Sequence, residues 1–320
     1  MKLLKNIKKN YFIKLIEDLI EKKNYSQLSK EIINIKKKYP DIYFSIFPQY
    51  INKLLQNLHY ENFMNKNLIW LNSYDVSDLD IITQFLNYYL NYLNKKNFMF
   101  VSFNDEISSI LKKYKFQDKK FLLANLLELN EFIQFEISQK DCEVNFIKTN
   151  QAFYEHSASN KFFLYNNITS CYFYIIRNPI NAFIKTLKDD PPFENSRKMF
   201  NYNQESNLKI YDNIEIEDGS QSWNVNVKSW TNENVKNTFN GLIIKYEDFI
   251  SNSLEVFANI VTHLNQVGYK LDINYDLINQ FINENKKFFV DKIIDHDISK
   301  KKLKILKREF GDLAQKYGYF

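Results

Sequence analysis

The residues with the clearest chemical potential stand at a strand end. Cys171 to Ile176 is an unbroken apolar and aromatic run, which predicts a central strand of a parallel sheet covered on both faces. Arg177 closes the run and Asn178-Pro179 turn the chain, with Pro179 at a first helical position. Ile180, Phe183, Ile184 and Leu187 then recur at helical spacing. A cation at the carboxyl end of a buried strand, beside a helix start, is how open α/β sheets hold phosphate. The same pattern is also satisfied by an ordinary surface arginine. Only three of the 43 Lys and Arg residues are Arg, in a chain crowded with Lys, Asn and Ile, so an Arg retained here is more telling.

A second constellation is SYDVSDLDI, Ser73 to Ile81. Leu68 to Leu71 read as a short buried strand, Asn72 to Asp78 as a polar loop, and Ile81, Ile82, Phe85, Leu86 and Tyr89 as one face of a helix. Strand, loop, helix is the layout of a phosphate-binding first βα unit. The loop chemistry opposes an anion, however, because Asp75, Asp78 and Asp80 stand where backbone amides and a cation are expected. Two other roles fit these residues: capping of the helix start near Ser77, and a divalent-cation site at Asp78-Leu79-Asp80 serving a nucleotide sugar. All five glycines lie at or beyond Gly219, so no glycine-rich phosphate cradle exists in the first two thirds of the chain. A third strand, Val144 to Lys148, ends in Lys148-Thr149-Asn150.

The elements that must position these residues follow from periodicity. Leu3, Leu4, Ile7, Tyr11, Leu15 and Leu19 predict a first helix, Leu28, Ile32 and Ile35 a second before Pro40, and Tyr50, Leu54, Leu55 and Leu58 a later one. Together they form a helical extension over 1–66, which is also a face for a protein partner. Residues 96 to 142 read as helices packed on the sheet, although Phe98 to Phe103 is an apolar stretch. Residues 189 to 222, rich in Asn, Asp and Ser, read as a long loop or lid. Trp223, Val227 and Trp230 share one helical face, GLIIKY (Gly241 to Tyr246) is a fourth strand, and two helices near Leu277 to Asn285 and Ser299 to Lys316 close the chain. The strands near 68–72, 144–148, 171–176 and 242–246 are expected side by side in one parallel sheet.

The net charge of +5 neither demands nor excludes an anionic ligand. Cys142 and Cys171 lie at or in strands, which disfavours a disulfide framework, and no run has transmembrane length. A cytoplasmic protein with no nucleic-acid partner is expected.

The order of these pieces resembles the sulfotransferase family that uses 3′-phosphoadenosine 5′-phosphosulfate (PAPS). The resemblance rests on a strand with the loop SYxxSxxxI, strands ending KTN and RNP, a helix SWxxxVxSW and a strand ending KYEDFI, from about Asn67 onward. It implies an α/β domain over 67–320, a three-layer α/β/α sandwich with a mainly parallel, P-loop-like sheet, and sulfuryl transfer to a hydroxyl or amine. It places Arg177 on the 3′-phosphate, with Lys185 at the position of a phosphate-holding serine and Thr186 beside it. Tyr74 and Ser77 are what survives of the 5′-phosphosulfate loop. Val76 replaces the loop lysine, Asp78 and Asp80 replace a glycine and a threonine, and Asn150 replaces the histidine base. These departures imply an impaired member acting in binding or regulation, holding PAPS or 3′,5′-bisphosphoadenosine weakly. Rebuilt chemistry with His156 as base is the alternative.

Overall fold

The computed structural model describes residues 2–43, 45–46, 66–95, 97–114, 126–153, 155–156, 161–162, 164–182, 208–211, 214–217, 222–289 and 300–319. Five strands form one wholly parallel sheet: β1 (Leu68–Ser73), β2 (Phe98–Ser102), β3 (Val144–Thr149), β6 (Thr169–Ile176) and β9 (Gly241–Lys245), in the order β2-β3-β1-β6-β9. Two short antiparallel pairs stand apart from it: β4 (Glu155–His156) with β5 (Lys161–Phe162), and β7 (Leu208–Tyr211) with β8 (Ile214–Glu217). The helices are α1 (Lys2–Glu21), α2 (Tyr25–Lys38), α3 (Asp80–Tyr92), α4 (Phe103–Tyr114), α5 (Leu126–Ser138), α6 (Trp223–Trp230), α7 (Glu233–Thr238), α8 (Tyr246–Ser251), α9 (Ser253–Gln266), α10 (Tyr275–Glu284) and α11 (Lys300–Lys316).

Every residue of β1 and of β6 is buried, as strands covered on both faces require. The two-residue period of a strand sends alternate side chains to opposite layers. Trp70, Tyr172, Tyr174 and Ile176 enter a core shared with α1, α2, α5, α6 and α11, whereas Ile69, Leu71, Phe173 and Ile175 enter one shared with α3, α9 and α10. The result is the expected helix, sheet, helix layering, with all four expected strands side by side.

Asn24 caps α2 by accepting a bond from the backbone N–H of Gln27 (3.2 Å). Phe12, Ile16, Ile32 and Ile35 join the first core, and Glu136 of α5 clasps the segment from outside. It accepts from Lys36 Nζ at 2.7 Å and from the Tyr43 hydroxyl at 2.6 Å.

Two expectations are corrected. Phe98 to Ser102 is not helical but an edge strand, pairing in register with Val144 to Lys148. A five-residue apolar run is too short for its period to separate strand from helix, and the aromatic residues decide for the strand. The stretch from 189 to 222 is not loop throughout, since the alternating LKIY and IEIE form the β7-β8 hairpin. The predicted helix over Tyr50 to Leu58 and the expected lid residues 189–207 lie outside the described residues. No helix among the described residues is long and apolar enough to cross a membrane.

Candidate functional site at the carboxyl edge of the sheet

Because the sheet is parallel, β1, β3, β6 and β9 all end at one edge, and the sequence places its polar strand ends there. Arg177 follows β6. Asn178 caps the helix that opens at Pro179, its side-chain oxygen accepting from the Ile180 N–H at 2.9 Å and its carbonyl from the Ala182 N–H at 3.0 Å.

The loop after β1 closes on itself. Asp75 Oδ1 accepts from the Ser77 backbone N–H at 2.9 Å and from the Ser77 hydroxyl at 2.8 Å, while the Asp78 N–H bonds the Asp75 carbonyl at 3.0 Å. This makes a 3-10 turn over Val76–Leu79 that leads directly into α3 and carries Asp78 inward. A carboxylate of the chain itself thus takes the loop amide that would otherwise face an anion.

Asp78 meets Arg177. Arg177 Nη1 donates to Asp78 Oδ1 at 2.6 Å, with side-chain exposures of 14% for the arginine and 2% for the aspartate. The guanidinium carbon also lies 4.1 Å from the centroid of the Tyr246 ring, a cation–π contact. Burial acts to discharge Arg177, but the facing Asp78 carboxylate, with Tyr246 and Glu247, outweighs it and holds the pKa above the usual arginine value.

The backbone around Arg177 is equally fixed. Its carbonyl accepts from the Trp223 indole N–H at 3.2 Å, and Glu247 Oε1 accepts from the Asn178 N–H at 2.9 Å. The Tyr319 hydroxyl lies 3.1 Å from both Glu247 Oε2 and the Ile176 carbonyl, tying the end of α11 to the ends of β6 and β9. Burial and then the Glu247 charge push the Tyr319 phenol far above its ordinary pKa, so it remains a donor.

Beyond Lys148 at the end of β3, the hydrogen bonds around Asn150 join neutral groups. The Asn226 amide donates to the Asn150 carbonyl (2.9 Å), Asn72 and Trp230 Nε1 donate to the Gln151 carbonyl (2.9 and 2.8 Å), and the Tyr174 hydroxyl donates to Asn226 Oδ1 (2.8 Å). Asn150 is thereby stitched to α6 through its backbone. Its own Oδ1, together with Asn72 Oδ1, Ser73 Oγ and Arg177 Nε, is buried without a hydrogen-bond partner among the described residues. The edge therefore offers neutral hydrogen-bonding atoms beside the compensated Arg177 cation, with Lys148 at the end of β3 and Lys245 at the end of β9. Among the described residues it holds no side chain that accepts a proton readily at neutral pH in the place of Asn150.

Arg177, Ser77 and Tyr74 come to the same edge, Tyr74 half-buried against the first core and Ser77 exposed. His156 lies in β4, of which only the backbone is described, and Lys185 and Thr186 lie outside the described residues. Asp78 and Asp80 do not share an environment: Asp78 is buried on Arg177, whereas Asp80 is exposed at the start of α3. Among the described residues no three His, Cys, Asp or Glu side chains gather as a metal site. The pairing of Asp78 with Arg177 is the feature that the sequence reading missed. Its signal is present nonetheless, because a buried cation at one strand end requires a counter-charge, and the adjacent βα loop supplies three carboxylates.

The residues fit a 3′-phosphoadenosine nucleotide only in part. Arg177, where the sequence resemblance would put the 3′-phosphate, is already paired with Asp78, and the loop after β1 presents Asp75 and Val76 rather than a cation.

No family model matches the chain, and no curated protein matches it. Among solved structures, it is similar to mouse sulfotransferase SULT7A1 complexed with PAP, at 14% identity and a TM-score of 0.46, over 78% of this chain and 88% of that one.

Proposed function

We propose that the chain is a sulfotransferase-like protein whose sheet-edge site serves in binding or regulation, with sulfuryl transfer absent or very slow. The observation that carries this reading is the Arg177–Asp78 pair: the cation at the family's 3′-phosphate position is neutralised from within at 2.6 Å. The ligand is PAPS or 3′,5′-bisphosphoadenosine, held weakly because it competes with Asp78 for Arg177 and meets Asp75 at the loop. Lys185 and Thr186, beyond Arg177 in the chain, supply further phosphate contacts, and Tyr74 and Ser77 flank the nucleotide. Loss of a positioned base at Asn150 removes about 10²–10⁴ in rate. Loss of a charged donor at Val76 removes roughly 3–4 kcal/mol of transition-state stabilisation.

Calorimetry with 3′,5′-bisphosphoadenosine and 5′-AMP, on wild type and Arg177→Ala, tests the binding. Weak binding of the bisphosphate, lost in the variant, supports the reading, whereas equal affinity for the two nucleotides refutes it. A parallel assay of sulfuryl transfer to phenol, alcohol and amine acceptors is expected to show no robust turnover. Turnover that vanishes in His156→Ala would instead establish rebuilt chemistry with that histidine as base.

A further inference from the structure

A second feature lies between α6 and α11. A cavity of about 450 Å³ opens there, a volume suited to a small organic ligand. Lys228 of α6 and Arg308 and Lys316 of α11 line it, against one carboxylate, Asp312. Helix α11 carries seven cations and two carboxylates in 17 residues, a net charge equal to that of the whole chain. The cavity is thus set in the most basic helix among those described.

Two scarce residues converge on this cavity. Arg308 is one of three arginines in 320 residues, and Gly311 is one of five glycines. Arginine presents a planar fork that matches phosphate or sulfate oxygens, which lysine cannot do. Glycine inside a helix weakens it, and a structural glycine is normally explained by something packed where its Cβ would be. At Gly311 nothing among the described residues lies within 4 Å of that position, and the residue faces the cavity. No packing among the described residues explains the glycine, but the approach of a ligand to the helix backbone does. Phe310, beside it, is held by the Trp223 ring (centroids 5.4 Å apart) and gives the cavity an apolar wall for the uncharged part of such a ligand.

From the three cations, the bare helix backbone and the aromatic wall, we infer that this cavity binds a small organic phosphate or sulfate ester, its anionic group on Lys228, Arg308 and Lys316. The test is titration of the whole chain at low ionic strength with glucose 6-phosphate and, separately, glucose 6-sulfate, followed by calorimetry. Saturable binding of either probe is expected, and the tighter probe identifies the ester. Arg308→Ala should weaken it by about tenfold to a hundredfold, the worth of one charge-assisted hydrogen bond. Gly311→Leu should cover the helix backbone and obstruct the cavity, weakening or abolishing binding while the melting temperature holds or rises, because leucine is the better helix former. Arg177→Ala should leave this binding unchanged, which separates it from the sheet-edge site. No saturable binding of either probe overturns the inference, as does binding that survives Arg308→Ala and Gly311→Leu, or that is lost only in Arg177→Ala.

Discussion

Replacing Asp78 by Asn tests the central feature of the sheet edge in two ways at once. The substitution keeps the shape of the side chain and removes its charge, leaving Arg177, 14% exposed, without its anion. Removing one partner of a buried pair costs about 3–5 kcal/mol, because the other charge stays desolvated. Here the Tyr246 face remains under the guanidinium and offsets up to ~2 kcal/mol, which places the expected loss at about 1–3 kcal/mol. Urea unfolding at neutral pH reads this directly. The double variant Asp78→Leu, Arg177→Met should recover most of the loss, since an apolar pair of similar volume leaves no buried charge. In the opposite direction, Arg177 in the Asp78→Asn protein can turn fully to a phosphate. Recovery of one charge-assisted hydrogen bond is worth about 1.5–3 kcal/mol, so affinity for 3′,5′-bisphosphoadenosine should rise about 10- to 100-fold. A stability change below about 0.5 kcal/mol, the range of an ordinary surface substitution, would refute the view that the pair is structurally important. Destabilisation without any gain in nucleotide affinity would refute the view that Asp78 competes with the ligand.

Two further expectations concern the frame around the site. At Gly241 an added Cβ would overlap the ring of Tyr172, whose hydroxyl is anchored on the Trp230 carbonyl at 2.5 Å, so Gly241→Ala should cost about 1–3 kcal/mol in urea unfolding; unchanged stability would show that the ring moves freely. His263, packed against Phe173 with Nε2 2.8 Å from the Asn240 carbonyl, has its pKa lowered by burial, so the folded protein favours the neutral ring. The unfolded chain then binds the extra proton first: the stability contributed is present above about pH 6.5 and is lost as pH falls through the folded value. His263→Gln should lose less stability than wild type between pH 7.5 and 5.5, and parallel curves would show that the ring titrates as it does in the unfolded chain.

Much of this architecture is legible in the residues because burial on both faces writes a strand as a plain apolar run. CYFYII and LIWL announce β6 and β1 for that reason, and Trp223, Val227 and Trp230 announce α6 by falling on one helical face. The edge strand at Phe98 to Ser102 is less legible, since a half-exposed, five-residue run has no period to measure. The site shows the same division. Arg177 stands out because a cation ends a buried strand, and Asn178-Pro179 state the helix cap in their own chemistry. The partner of Arg177 does not stand out, because Asp78 is 99 positions away and its inward aim depends on a turn held by Asp75 and Ser77. One-dimensional reading shows three carboxylates near a strand end and reads repulsion. The folded chain resolves that repulsion by giving each a different neighbour: Asp75 the Ser77 amide, Asp78 the arginine, and Asp80 the solvent.

The central place of β1 has a consequence for how the chain comes to be made. Leu68 pairs with Asn145 on one side and Thr169 on the other, 77 and 101 positions later. At translation rates of about 5–20 residues per second, the strand waits roughly 4–20 s between its synthesis and the synthesis of its partners. During that interval an apolar ribbon with both hydrogen-bonding edges open is available to any other extended chain. The helices α1 and α2 are made before it and bury their apolar faces partly against α5, so they too wait for downstream sequence. Chaperone demand during synthesis should therefore be concentrated before residue 176, where β6 completes the second edge of β1.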